Sequence, residues 1–221
     1  IITNLGGSYE VPEKMIKDDS IFESSVKESL WECPVWHQKT PFTEEFNKEL
    51  LKELYEIAYN FNEFTGKDSL LQYDRPCLKE LIEYKTKVIT EVVNEYMPEG
   101  QKAEFVAADT WANVNSAGER IELHAHPDSS VACTYYIQEP DNGGDFYYVD
   151  TGKIGEHKTE IKRISPKNGD LIFFPSYVLH GVDMNLGRIR VNLTTDFKHK
   201  ITEDSKDRLV LKSFINSMLR I

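Results

Sequence analysis

Apolar positions fall along this chain in two different rhythms. Between residues 46 and 61, Phe46, Leu50, Leu54, Ile57, Ala58 and Phe61 recur every three or four residues, the spacing that lines one stripe of an α-helix. Thr43 stands where its hydroxyl can accept a first-turn N–H, and Glu44 and Glu45 follow where the helix dipole favours negative charge. This helix is expected to end before Gly66. Pro76 opens a second stripe of Leu78, Leu81, Ile82, Ile89, Val92, Val93 and Tyr96, which Pro98-Glu99-Gly100 stops.

From about residue 103 the period shortens, and β-branched and aromatic residues come in short runs. The runs are separated by turn sequences: Ser116-Ala117-Gly118, Asp141-Asn142-Gly143-Gly144, Asp150-Thr151-Gly152 and Lys167-Asn168-Gly169-Asp170. Strands are expected over 105–114, 121–123, 131–138, 145–149, 160–164, 170–174 and 188–197. Helices first and strands afterwards exclude a doubly wound fold and predict an α+β chain, mainly β, with helices packed on a sandwich or barrel. Residues 1–102 read as helical support, 103–200 as the β core, and 201–221, with Leu209, Leu211, Phe214, Ile215, Met218 and Leu219, as a terminal helix, all in one domain. The first forty residues read as loops and short strands anchored by Trp31, Val35 and Trp36.

The balance of 26 Lys+Arg against 37 Asp+Glu in 221 residues gives a net charge of −11, which repels phosphate backbones. Nucleic-acid binding is not expected. No apolar run approaches the roughly 20 residues of a membrane-spanning helix. No leader peptide is expected, because no basic region followed by a hydrophobic stretch opens the sequence. Cys33, Cys77 and Cys133 are odd in number and widely spaced, which fits free thiols in a reducing, cytoplasmic setting.

The chemistry concentrates in the β region. In Leu123-His124-Ala125-His126-Pro127-Asp128, residues two apart share a strand face, so His124 with His126, or His126 with Asp128, can aim two ligating atoms at one point. His180, after the segment 169–176, is placed to bring a third from a neighbouring strand. Two imidazoles and a carboxylate on one triangular face leave three positions free, which suits Fe(II), O2 and a bidentate cosubstrate better than zinc. Ten residues further on, Arg188 and Arg190 lie on the next strand, and one of them is expected to turn inward. A guanidinium there needs a bidentate carboxylate as partner. His37, His157 and His199 are not expected at the site.

Taken in order, the His-x-His/Asp segment, Thr134-Tyr135-Tyr136-Ile137, Asn142-Gly143-Gly144-Asp145-Phe146-Tyr147, the segment 169–176 with His180-Gly181-Val182, and Arg190-Val191-Asn192-Leu193 resemble the Fe(II)/2-oxoglutarate-dependent dioxygenases. The resemblance covers residues 105–197 and is greatest to small stand-alone oxygenases related to prolyl 4-hydroxylases. It implies a double-stranded β-helix (jelly roll) with His180 as the distal iron ligand. Arg190 and Tyr136 would bind the far carboxylate of 2-oxoglutarate, with Asn192 as a further cosubstrate-binding residue, and Asn113 and Asn115, on the strand before the His-rich segment, are placed to line the cosubstrate pocket. The strict family pattern assigns the proximal ligands to His126 and Asp128, whereas a His-x-His-Pro subgroup assigns them to His124 and His126. The implied activity, with Fe(II), 2-oxoglutarate and O2, is hydroxylation of a C–H bond in a peptidyl or amino-acid substrate with release of succinate and CO2. The N-terminal part and the loop 148–161 are where a lid or substrate groove is expected. Two readings from other classes stand beside this one. The first is a binding module presenting Trp111, Tyr135, Tyr147 and Tyr148 to a sugar or peptide, and the second is a cupin-type metal dioxygenase that does not use 2-oxoglutarate. An Arg190 in the pocket separates the oxoglutarate enzyme from both.

Overall fold

Both helices form where the 3.6-residue rhythm predicts them. Helix α1, Glu44–Phe61, opens on Thr43, whose Oγ1 accepts the Phe46 N–H at 3.3 Å. Helix α2, Pro76–Glu95, has proline at its first turn, where a missing N–H costs nothing. Two of its other free amides are satisfied by the neighbouring helix: the buried Glu53 carboxylate accepts from the Cys77 and Leu78 N–H groups, each at 3.0 Å. The α2 stripe gains Val88, which is buried, and differs from expectation at two further positions. Tyr96 is 51% exposed, because it follows the last helical residue. Lys85 is fully buried, its Nζ donating to the Leu193 carbonyl at 2.7 Å and to Thr195 Oγ1 at 3.1 Å, and burial pulls its pKa down to about 8.

The computed structural model describes residues 34–61, 69–97, 102–150 and 160–201, all within the unit Cys33–Ile221. The expected terminal helix, most of the expected lid loop, His157, Cys33 and Trp31 lie outside the described residues. Cys77 and Cys133 are free thiols. Among the described residues no helix is long and apolar enough to cross a membrane.

The strands are β1 Trp36–Lys39, β2 Ala103–Asn115, β3 Ile121–His124, β4 Val131–Gln138, β5 Phe146–Asp150, β6 Glu160–Ile164, β7 Asp170–Pro175, β8 His180–Val182 and β9 Arg190–Ile201. They form a five-stranded sheet ordered β1-β7-β4-β9-β2 and a four-stranded sheet ordered β3-β8-β5-β6, with antiparallel pairings throughout. This is the double-stranded β-helix with flanking helices that the sequence implied. Strand β8 is too short for a periodic signal, and β9 starts at Arg190 rather than 188.

Strand β4 reads as an unbroken apolar run because both of its faces are covered. Val131, Cys133, Tyr135 and Ile137 pack with the helices, as do Leu171 and Phe173 of β7 and Leu193 and Phe197 of β9. Ala132 and Tyr136 face the other way, with Ile172 and Phe174, into a second core that Phe146 and Val182 of the smaller sheet complete. The period of two therefore sends odd-numbered β9 residues toward the helices and even-numbered ones between the sheets.

Candidate active site

His124 ends β3 and lies directly across from His180, which begins β8. His126 follows just beyond β3, held by its own N–H, which donates to the Ser176 carbonyl at 2.8 Å. One ligating atom from each of the three histidines lies within 4.8 Å of the others. Each ring is fixed by its Nδ1. That of His124 donates to the Glu122 carbonyl at 2.8 Å, that of His180 to the Val178 carbonyl at 2.8 Å, and that of His126 to Asp196 Oδ2 at 3.2 Å. A carbonyl or carboxylate can only accept, so every Nδ1 carries the proton and every Nε2 presents a lone pair. The His126 and His180 Nε2 atoms are 3.3 Å apart. His180 is buried against Phe174 and Phe146, and this burial drives its pKa down to about 3, keeping the imidazole neutral as a ligand must be.

Asp128 is not in this group. Strand β3 ends at His124, the register slips between Ile121 and His124, and Pro127-Asp128 forms a turn that leaves Asp128 exposed. The expected alternative pair His126/Asp128 is therefore not brought together, whereas His124 and His126 are.

The second cluster lies on the inner face of the large sheet, opposite the smaller sheet that carries His124 and His180. Arg190 is fully buried while Arg188 is exposed. The Arg190 Nη1 donates to the Gly143 carbonyl at 2.8 Å and Nη2 to Asn115 Oδ1 at 2.9 Å, which leaves Nε without a partner. The Tyr136 hydroxyl is likewise buried and unpartnered, and burial raises its pKa, against the nearby Arg190, so the proton stays available to donate. Unmet buried donors cost about 1–3 kcal/mol each, which a bound carboxylate would recover. Between the two clusters Asn113 Nδ2 donates to Asn192 Oδ1 at 2.9 Å and to Thr194 Oγ1 at 3.1 Å, and Thr134 Oγ1 is 3.0 Å from Thr194 Oγ1. The histidines, Tyr136, Asn113 and Asn192 line one small pocket.

Asn115, expected beside Asn113, does meet Arg190, whereas Asp196, Gly143 and Glu139 were not anticipated. The signal for Asp196 was present in β9, where Arg190, Asn192, Thr194 and Asp196 alternate with Val191, Leu193 and Phe197 as a polar face turned inward. Glu139 is half-buried near Arg190 with Oε2 unpartnered, and burial pushes its pKa up to about 7. The aromatic face expected of a binding module does not form. Trp111 stacks on His126 at 5.7 Å, whereas Tyr135 points to the helices and donates to Asn47 Oδ1 at 2.6 Å. His37 pairs with Asp170 and His199 with Ser130, away from the three-histidine group.

Three imidazole nitrogens and an opposed pair of unmet donors fit a divalent transition ion with a carboxylate-bearing chelator. A double-stranded β-helix with such a site defines the class of Fe(II)- and 2-oxoglutarate-dependent oxygenases. Residues 109–196 match the family model described as "Putative 2OG-Fe(II) oxygenase", so this part of the chain is similar to a family whose cofactor, cosubstrate and oxidant are Fe(II), 2-oxoglutarate and O2. Its fold is similar to that of a Pseudomonas putida prolyl-4-hydroxylase, at 17% identity over 76% of this chain and 89% of that one with a TM-score of 0.54. The viral collagen prolyl hydroxylase of Paramecium Bursaria Chlorella virus-1, in a 2-oxoglutarate complex, matches at 14% identity over 76% and 96% of the two chains with a TM-score of 0.52. HygX from Streptomyces hygroscopicus, with nickel and 2-oxoglutarate bound, matches at 13% identity over 79% and 87% with a TM-score of 0.56. Comparison with curated protein sequences gave no match.

Proposed function

We propose that this protein hydroxylates a C–H bond of a peptidyl or amino-acid substrate, with His124, His126 and His180 as the iron ligands and Arg190 and Tyr136 as the anchor of the far carboxylate of 2-oxoglutarate. One observation carries the reading: ligating atoms of His124, His126 and His180 converge in a pocket that Tyr136 also lines, and the Tyr136 hydroxyl and the Arg190 Nε are buried donors without a partner. The substrate class rests on the likeness of fold to the two prolyl hydroxylases.

Bound there, iron and 2-oxoglutarate supply the oxidising chemistry that yields succinate, CO2 and a hydroxylated product. The chain's own residues set the geometry. Neutral His180 offers its lone pair without first losing a proton. Arg190 is clamped by the Gly143 carbonyl and Asn115, so no rotamer freedom is lost when a carboxylate meets its Nε and the Tyr136 hydroxyl. Phe146 and Phe174 pack against His180 and would shield a bound ion from water on that side.

The test is anaerobic titration with Fe(II) and then 2-oxoglutarate, following the visible charge-transfer absorption of the chelate. The band is expected only when both are present, and it is expected to weaken strongly in Arg190→Ala. No band in folded, reduced wild-type protein overturns the reading and leaves a binding module or another metal enzyme. With the band in hand, succinate release stimulated by proline-containing peptides tests the substrate class.

A further inference from the structure

We infer that Asp196 is the carboxylate of the metal centre, displaced from the ion itself to the far side of His126, where it fixes that ring and supplies negative charge through it. The inference rests on the three-histidine reading above and adds a positioning residue that the reading does not require.

The three imidazoles are neutral donors, so they leave the charge of a divalent ion uncompensated, unlike the two-histidine, one-carboxylate face common to non-haem iron oxygenases. The backs of two of the rings meet neutral groups, the Glu122 and Val178 carbonyls. The third meets an anion: His126 Nδ1 lies 3.0 Å from Asp196 Oδ1 and 3.2 Å from Oδ2, with hydrogen-bond geometry to Oδ2. The Oδ1 atom is buried and makes no hydrogen bond. Asp196 is thus held against one ring, with spare acceptor capacity and little water, and the Asp196 and His126 side chains are 18% and 9% exposed. A carboxylate behind a ligating imidazole fixes the tautomer and makes the ring a stronger donor.

The placement has a backbone cause. Asp196 lies two residues beyond Thr194 and six beyond Arg190, on the inward face of β9, and pairs in register with Ala132 of β4. Trp111 stacks on His126 at 5.7 Å and 23°, so the ring is also fixed face-on. A residue needed only to close the sheet would have no reason to aim an acid at the back of this ring.

The experiment measures Co(II) affinity and its d–d absorption spectrum in the full-length protein, with Asp196→Asn, Asp196→Ala and, as control, Arg188→Ala variants beside wild type. Asparagine keeps the acceptor and the size but removes the charge, while alanine removes both. Asp196→Ala is expected to weaken Co(II) binding by about 10–100-fold, with Asp196→Asn intermediate and both spectra altered. Arg188→Ala, at an exposed position outside the site, is expected to bind Co(II) as wild type does. Far-UV circular dichroism of the metal-free proteins checks folding, and Asp196→Asn carries the test if the alanine variant does not fold. Wild-type affinity and spectrum in folded Asp196→Asn and Asp196→Ala overturn the inference. Failure of wild type to take Co(II) instead overturns the three-histidine reading itself, a different and separately visible result.

Discussion

The Nε2 atoms of His126 and His180 face each other across 3.3 Å, with the ring planes 12° apart. Both nitrogens are acceptors, since each ring has given its proton to a partner behind it. Two lone pairs at that separation repel unless a cation sits between them. A divalent transition ion is therefore expected to stabilise the fold, by about 2.7 kcal/mol at a hundredfold excess over its Kd, or roughly 5–10 °C in melting temperature. His180→Ala is expected to abolish that rise, and differential scanning calorimetry with and without Ni(II) measures it.

Glu139 makes the wild-type protein less stable as pH rises. Its pKa is about 7 in the folded chain against an ordinary 4.5, chiefly through burial, so between these values the folded state holds a proton that the unfolded state has lost. Stability from this group falls across that window, and the full penalty applies above it. Replacing the acid by its amide, Glu139→Gln, removes the effect. The melting temperature of the variant relative to wild type is expected to increase from pH 5 to pH 8, whereas a constant difference contradicts the assignment.

Helix α2 begins at Arg75, which offers no side-chain cap, and borrows the Glu53 carboxylate of α1. Glu53→Ala leaves two N–H groups unmet at a buried helix junction. A loss of about 2 kcal/mol is expected, seen as a lower urea midpoint with an unchanged slope. Metal and 2-oxoglutarate binding are expected to persist in the folded variant.

Gly144 has φ +92°, and a Cβ there would lie 2.3 Å from the Asp183 carbonyl oxygen. Both facts exclude a side chain, because the contact is with backbone. The preceding residue supplies the carbonyl that holds Arg190 Nη1. Gly144→Ala is expected to cost about 1–3 kcal/mol of stability and, in the fraction that folds, to weaken 2-oxoglutarate while sparing metal. Isothermal titration with each ligand in turn separates the two effects.

Much of this was legible in the sequence because the governing patterns are local. The stripes of α1 and α2 and the apolar runs of β4 and β7 follow from residue spacing alone, and His124, His126, His180 and Arg190 are of types that β-sandwich interiors rarely hold without a use. The choice between His124 and Asp128 was not local, since it turns on a register slip in β3 and on where the chain leaves the strand after His126. Lys85 was unreadable for a similar reason, because its partners on β9 are more than a hundred residues away. Strand β1 owes its place to Asp170, which receives both His37 and Lys39 across a comparable separation.

Strand β9 carries Arg190, Asn192, Thr194 and Asp196 on one face over seven consecutive residues. At about 3.3 Å per residue the backbone separates the first from the last by roughly 20 Å. The strand is thus a yardstick, graduated in residues, between Arg190, proposed to grip the tail of a diacid, and Asp196, proposed to stand behind the ion its head would chelate. Deleting one residue between Asn192 and Asp196 would shorten the gauge and turn one end of it to the wrong side of the sheet, so the two ends can be exchanged only as a pair.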